Sequence, residues 1–180
     1  MAPGYRGKQM QKSNAQTCCF TGHRIIPEKD YPILREHLVT EIANLIRQGV
    51  NSFLAGGALG FDTMAAQAVL DLKMEYPHIR LILVLPCKSQ TRGWNERDIK
   101  IYDRILHEAD QVVFTSENYH RGCMAKRNRY LVDNSSVCVC YLCERKGGTA
   151  YTVQYAKQKG LRIIQLPASH SGKNRETIPD

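Results

Sequence analysis

Short apolar segments alternate with amphipathic segments along most of this chain, and that alternation limits the fold more than any other feature. The clearest apolar segment, IRLILVLP at 79–86, is almost free of polar residues, as is typical of a strand that is covered on both faces. Between such segments, apolar residues such as Leu34, Leu38 and Ile42 recur at helical spacing. Strands that alternate with helices predict an α/β fold, a mainly parallel sheet of about six strands with helices on both faces.

The same pattern predicts a single domain over residues 16–167, since 180 residues suit one hydrophobic core. We expect a flexible basic tail at 1–15, which carries Arg6, Lys8 and Lys12, and a second tail at 168–180. The predicted strands are 17–22, 51–57, 79–86, 111–116, 136–142 and 161–167, and the predicted helices are 31–49, 61–77, 95–109, 123–135 and 149–160.

The charge and the N-terminal sequence bear on partners and location. A formal net charge of +8 favours anionic partners, such as nucleotides, nucleic acid or phosphorylated ligands. No apolar run is long enough to span a membrane, and MAPGYRGKQMQKSN has no apolar core of a secretory signal. We therefore expect a cytoplasmic protein that has no membrane partner.

The seven cysteines are expected to be reduced thiols in that compartment. Cys138 and Cys140 alternate with valines on a predicted strand, which suits small buried residues. Cys140 and Cys143 have C-x-x-C spacing, but no second Cys or His pair follows at zinc spacing. We expect no metal site, and a metal or redox role is kept as the minor alternative.

Ligands of parallel sheets bind beyond the carboxyl ends of the strands, so the loops after the strands are the candidate site. In TGHR, which follows the first strand, Gly22 permits a tight turn and places His23 and Arg24 at this edge. Arg24 can hold a phosphate through a forked contact. The alternative is a solvated arginine and a histidine that packs against the loop.

The segment AGGALGFD at 55–62 joins a strand to a helix and contains three glycines, Gly56, Gly57 and Gly60. Glycine allows close backbone approach, and a helix start offers free N–H groups to phosphate or sugar. Asp62 is suited to cap this helix, or to accept a hydrogen bond from a ribose hydroxyl. A purely structural turn is the alternative.

Two further segments follow strands on the same edge. Trp94 lies in a basic loop and can cover a base by stacking, although it can equally anchor the next helix to the sheet. Arg127, Asn128 and Arg129 belong to the most basic segment, 119–133. Neighbouring residues of a helix point to different faces, so we expect only some of these charges to meet one ligand.

A last glycine turn precedes the final predicted helix. Gly147, Gly148 and Thr149 open it, and such a turn either cradles phosphate or only redirects the chain. The motifs CCFTGHR, AGGALGFDTMAAQAVL, KRNRYLVD and GGTAYTVQYAKQKG together resemble the SLOG superfamily of Rossmann-like proteins, and within it the YpsA-like group, a domain of unknown function. The resemblance covers about residues 16–167.

Two relatives in that superfamily imply different functions. The DNA-processing protein DprA (Smf) has a similar glycine turn and an Arg-Asn-Arg signature that looks like Arg127, Asn128 and Arg129 here. It binds single-stranded DNA, which implies nucleic acid as the alternative partner. LOG-type phosphoribohydrolases have a similar late glycine turn, followed by a glutamate that takes part in cleavage.

In this chain the position of that glutamate holds Thr152, whose hydroxyl cannot act as a carboxylate base. The resemblance therefore implies a phosphate-binding turn and leaves hydrolysis in doubt, with His23 as the only weak candidate for a base. We expect a nucleotide or nucleotide-derived ligand, no obligatory cofactor and no identified catalytic residue. Relatives often pair, so a homo-oligomer is a further expectation.

Overall fold

The structure, a computed structural model, describes residues 14–168. The predicted tails at 1–15 and 168–180 lie outside these residues, apart from Asn14, Ala15 and Ala168. The strands are β1 (Thr17–Gly22), β2 (Ser52–Ala55), β3 (Arg80–Leu85), β4 (Gln111–Phe114), β5 (Val137–Tyr141) and β6 (Arg162–Gln165). The helices are α1 (Tyr31–Arg47), α2 (Phe61–Leu72), α3 (Glu96–Glu108), α4 (Cys123–Asp133) and α5 (Gly148–Gln158).

All six strands join one parallel sheet in the order β4-β3-β2-β1-β5-β6. In its centre Cys19 lies beside Leu54 of β2 and Cys138 of β5. The fold class predicted from the alternating pattern is therefore confirmed.

Helices cover both faces of the sheet and form two apolar cores. One core packs residues of α1 and α2, such as Leu38 and Val69, on the face that carries Val137 and Val139. On the opposite face, Cys138 is buried together with residues of α4 and α5. The alternation of thiols and valines along β5 thus separates the two cores, as the sequence predicts.

The strand order reverses beside β1. From β1 the chain steps outward through β2 and β3 to β4, and α4 then carries it back to β5 on the other side of β1. The connections that leave β1 and β5 therefore run to opposite faces of the sheet, which leaves a crevice at their carboxyl ends. This crevice is where the fold positions a ligand site.

Several elements are shorter than predicted, and glycines account for one of them. Strand β2 ends at Ala55 because Gly56 and Gly57 leave the strand, and Gly57 has a φ of +67°. Helix α2 ends at Leu72, before Pro77. Within residues 14–168 no helix has the length and apolar character needed to cross a membrane.

Candidate ligand-binding site

A crevice of about 340 Å³ lies at the carboxyl ends of β1 and β5. Its walls are the loop after β1, the start of α2, one face of α4 and the start of α5. It brings together eight of the predicted site residues: Gly22, His23, Arg24, Asp62, Arg127, Asn128, Gly148 and Thr149. Four separate sequence motifs thus meet at one place.

Gly60 allows the start of α2 to lie directly against the loop after β1. The Phe61 N–H donates to the His23 carbonyl at 3.1 Å. Gly60 has a φ of +77°, and a Cβ there would overlap the carbonyl of Arg24. The glycine predicted to admit a ligand therefore admits another segment of the chain.

Asp62 and Arg127 form a buried ion pair beneath the crevice. The distance from Arg127 Nη1 to Asp62 Oδ2 is 3.6 Å, and the Ala58 N–H donates to the same oxygen at 3.3 Å. Arg127 Nη1 also donates to the Gly56 carbonyl. The prediction that Asp62 caps α2 is wrong, because Gly60 holds the N-cap position and Asp62 lies in the first turn.

The electrostatics of this pair follow from its burial. Burial raises the pKa of Asp62 above its usual range, although the Arg127 charge and the Ala58 N–H favour the ionised carboxylate. Burial likewise lowers the pKa of Arg127, although Asp62 opposes that shift. Each charge depends on the other to remain ionised away from water.

Arg127 also orients the side chain of Asn128. Arg127 Nε donates to Asn128 Oδ1 at 2.7 Å. Because guanidinium nitrogens only donate, the accepting atom is the amide oxygen, and the Asn128 NH₂ group keeps its two donors for other partners. The two side chains were expected to point to different faces, but both line the crevice and touch each other.

The start of α5 presents backbone donors to the crevice. Its N-cap, Gly147, has a φ of +97°, and no side chain caps the helix. The first backbone N–H groups of a helix have no partner within it, and they carry partial positive charge. A Cβ added to Gly148 would meet no atom within 4 Å, and Gly148 and Thr149 both line the crevice, so the chain leaves open space beside this helix start.

Thr152, which replaces the glutamate of LOG-type hydrolases, does not face this space. Its side chain is buried, and its hydroxyl donates to the Gly148 carbonyl at 2.8 Å. The hydroxyl is therefore occupied by the backbone of its own helix.

His23 ties the loops after β1 and β5 together. Its Nε2 accepts a hydrogen bond from the Cys143 N–H at 2.8 Å, so in the neutral ring the proton lies on Nδ1. The ring also meets Tyr141 edge-on, with centroids 6.0 Å apart. His23 and Arg24 line both the crevice and a neighbouring cavity of about 790 Å³, which includes Tyr141, Leu142 and Glu144.

Other predicted site residues do not line the crevice. The Gly57 carbonyl accepts from Gln90 Nε2 at 2.7 Å, and the Trp94 ring packs edge-on against Tyr102 of α3 at 5.5 Å. Trp94 thus anchors α3, the alternative left open above. Arg129 Nε donates to the Tyr151 hydroxyl at 2.8 Å on the outer side of α4. Gly56 lies under Arg127, and Gly147 lies just outside the crevice wall.

The sequence reasoning missed several lining residues, among them Thr21, Met124 and Leu131. Met124 and Leu131 lie three residues before and four residues after Arg127. This helical spacing places all three on one face of α4, so the sequence could have indicated that Met124 and Leu131 lie beside Arg127.

The cysteines are separate from the crevice. All seven are free thiols, and all but Cys143 are buried. Within residues 14–168, no group of three His, Cys, Asp or Glu side chains lies close enough together to hold a metal ion.

Solved structures with a similar fold include two DNA processing proteins. DNA processing protein A from Helicobacter pylori, which has a single-stranded DNA binding mode, has a TM-score of 0.63 at 19% identity; the match covers 91% of this chain and 70% of that one. DprA from Streptococcus pneumoniae has a TM-score of 0.64 at 16% identity, covering 88% of this chain and about half, 52%, of that one. At such identities the likeness concerns the fold.

Sequence relatives give the family. The uncharacterized SPbeta prophage-derived protein YoqJ of Bacillus subtilis is 32% identical over 141 residues, which are 71% of this chain and 82% of that protein. The profile of the YpsA family, described as the YspA SLOG family, matches residues 20–165. The match runs from within β1 to the end of β6, and the chain belongs to the YspA SLOG family.

Proposed function

We propose that this chain binds a nucleotide or nucleotide-derived ligand in the crevice between β1 and β5. One observation carries the proposal: an uncapped helix start, at Gly148 and Thr149, opens onto a crevice that also contains His23, Arg24 and Asn128. Backbone N–H groups at a helix start favour phosphate, and the crevice lies where parallel sheets of this kind hold ligands.

The charges around the crevice suit a phosphate group. Arg24 is exposed at the rim and is free to follow a ligand, whereas the charge of Arg127 is balanced by Asp62. The Asn128 NH₂ group adds two donors whose orientation Arg127 fixes. We assign phosphate binding to the α5 start, Asn128 and Arg24, and a supporting role to Arg127.

The remaining part of a nucleotide has room beside the phosphate. The cavity of about 790 Å³ continues past His23 and Arg24 and is partly apolar, with Tyr141 and Leu142 in its wall. In the proposed arrangement the base extends into this cavity, while the ribose stays in the crevice, where the Asp62 carboxylate accepts from one of its hydroxyls.

Binding is proposed without cleavage. LOG-type hydrolases require a glutamate after the late glycine turn, and Thr152 offers instead a buried hydroxyl that is bonded to Gly148. His23 Nε2 already accepts a hydrogen bond from the Cys143 N–H, so this nitrogen is not free to act as a general base.

Thermal unfolding with a panel of nucleotides tests the proposal. AMP, ADP-ribose, NAD and cyclic AMP are compared with adenosine and inorganic phosphate as partial ligands. A nucleotide at a hundredfold excess over its Kd adds about 2.7 kcal/mol of stability, or roughly 5–10 °C in melting temperature for a domain of this size. No rise with any nucleotide of the panel would contradict the proposal.

Single-stranded nucleic acid is the second candidate. The observation that favours it is the fold shared with two DNA processing proteins, one of which has a single-stranded DNA binding mode, together with the net charge of +8. Gel shifts with a single-stranded oligonucleotide at 50 and 200 mM salt test it. Phosphate-dominated binding weakens steeply over this range, by about 300-fold for six phosphate contacts on a single strand.

A further inference from the structure

The outer side of α4 and α5 carries exposed rings and cations that the crevice does not use. Residues 126, 129, 130 and 133 share one face of α4, opposite the face that lines the crevice. We use the name aromatic–basic face for Phe114, Lys126, Arg129, Tyr130, Tyr151, Tyr155 and Lys159. This face includes Arg129, a predicted site residue that does not line the crevice.

At one end of this face lies a groove of about 390 Å³, between the end of the edge strand β4 and α4. Phe114 and Tyr130 line it and are 42% and 37% exposed, and Lys126 and Arg129 line it with them. Large rings left open to solvent beside a groove are typical of a binding surface.

The face continues without interruption onto α5. Arg129 lies over the Tyr151 ring, 5.8 Å from its centroid, and donates to its hydroxyl. The Tyr151 and Tyr155 rings are nearly parallel, at 7°, with centroids 6.3 Å apart. Tyr151 is 41% exposed, and Lys159 Nζ lies 5.3 Å from the Tyr155 centroid. Rings and cations therefore lie side by side across both helices.

The charge of the face selects the kind of partner. Lys126, Arg129 and Lys159 supply three cations, and the acid among them, Asp133, lies 3.6 Å from Lys159 and accepts from the Tyr155 hydroxyl. A second copy of the chain packed on this face about a two-fold axis would bring together two faces that both carry a net positive charge. An anionic partner is favoured instead.

We propose that the aromatic–basic face binds single-stranded nucleic acid. Unpaired bases stack on flat aromatic rings while cations follow the phosphates, and a combination of the two is the usual chemistry of such surfaces. In this arrangement Phe114, Tyr130 and Tyr151 meet bases, and Lys126, Arg129 and Lys159 meet phosphates. The proposal uses none of the crevice residues and stands apart from nucleotide binding there.

Fluorescence anisotropy with a labelled (dT)20 strand tests the proposal on the full chain. The variants are Phe114→Ala/Tyr151→Ala, which removes rings, and Lys126→Ala/Arg129→Ala, which removes charges. The matched control, Arg97→Ala/Lys100→Ala, removes the same charge from exposed positions of α3 on the other face of the sheet. Should the double ring variant melt early, Tyr151→Ala alone makes the same test, because its ring lies at the surface.

We expect the ring variant to weaken (dT)20 binding at least tenfold, since each stacked base contributes a factor of about five to more than a hundred. The charge variant should also weaken it and reduce the slope of log K against log salt by about 1.4, or 0.7 for each lost contact. The control should bind within twofold of the native chain, and nucleotide thermal shifts should be unchanged in all variants.

Several results would overturn the proposal. The first is that the native chain does not bind (dT)20 at 50 mM salt. The second is that it binds a duplex of the same length with equal affinity. The third is that the α3 control loses as much affinity for (dT)20 as the charge variant does. Self-association of the native chain that the ring variant abolishes, with (dT)20 binding unaffected, would identify the face as a protein interface instead.

Discussion

Arg127 Nη1 lies 3.6 Å from Asp62 Oδ2, in a pair whose side chains are only 7% and 9% exposed. Asp62 belongs to α2 and Arg127 to α4, which pack on opposite faces of the sheet. The pair therefore joins the two helix layers just beyond the end of β2, where Arg127 also reaches the Gly56 carbonyl. It forms the floor on which the ligand crevice is built.

Removing one member of this pair should destabilise the fold. Arg127→Met leaves the Asp62 carboxylate buried without its counter-charge, and breaking a buried pair in this way costs about 3–5 kcal/mol. Urea unfolding of the native chain and the variant measures the loss. Asp62→Leu should cost a comparable amount, and the double variant should cost less than the sum of the two. Strict additivity would show that the two side chains do not stabilise one another.

Two glycines of the site should respond in opposite ways to alanine. A Cβ at Gly56 would overlap the Arg127 guanidinium, so Gly56→Ala should lower the unfolding free energy by about 1–3 kcal/mol. Gly148 faces open space at the start of α5, where alanine restricts the unfolded chain and should be neutral or stabilise by up to about 1 kcal/mol. Urea unfolding of both variants checks the contrast, and a large loss in Gly148→Ala would contradict it.

Asp110 should make stability depend on acid pH. Burial acts to raise its pKa, but the Lys73 ammonium at 2.6 Å and the Leu81 N–H at 2.8 Å outweigh burial and hold the pKa below its usual range. Its contribution is therefore present above the unfolded-state pKa of about 3.9 and is lost as pH falls through the lower folded-state value. Solvent screens much of this interaction, so Asp110→Asn should cost about 1 kcal/mol at pH 7, with a deficit that shrinks below about pH 4.

A surface ion pair provides the control for that experiment. Arg35 and Asp71 lie 2.6 Å apart, but both side chains are well exposed. Asp71→Asn should change stability by no more than about 1 kcal/mol. If the two variants lose stability equally at pH 7, partial burial does not distinguish Asp110 from an ordinary surface carboxylate.

Cys143 should be the one thiol that reacts readily in the folded chain. The other six are buried. Burial raises the pKa of Cys140 to about 11 and also raises the pKa of Cys18 well above its usual value, so few thiolates form at neutral pH. Iodoacetamide should label one thiol rapidly in the folded chain and the remaining six only in denaturant. Intact mass measurement counts the labels. Cys143→Ser should remove the rapid label, and rapid labelling of that variant would show that the cores open readily.

The sequence predicts the fold well, because burial on both faces makes the inner strands plainly apolar and amphipathic helices separate them. The site is predicted in part. Gly22 ends a strand, Arg24, Gly148 and Thr149 lie in segments that follow strands, and the fold alone brings these segments together. Strand order places the crevice between β1 and β5, and a pattern of local elements does not contain that order.

Contacts between residues that are far apart in the chain could not be predicted from the sequence. Asp62 looks like a helix cap because caps are local, whereas its real partner, Arg127, lies on another helix. Gly56 and Gly60 resemble phosphate-loop glycines, but what approaches them is the protein itself. Trp94 packs on Tyr102, a pairing that no local motif specifies.

Gly148→Val gives the most direct test of nucleotide binding at the crevice. The valine Cβ would meet no atom within 4 Å, and its methyl groups would occupy space at the crevice wall that the proposed phosphate needs. Melting temperatures of the native chain and the variant are measured with and without AMP, ADP-ribose, NAD and cyclic AMP. We predict that at least one nucleotide raises the melting temperature of the native chain by several degrees, that the variant alone melts like the native chain, and that the rise is lost in the variant. An equal rise in both proteins would contradict the account.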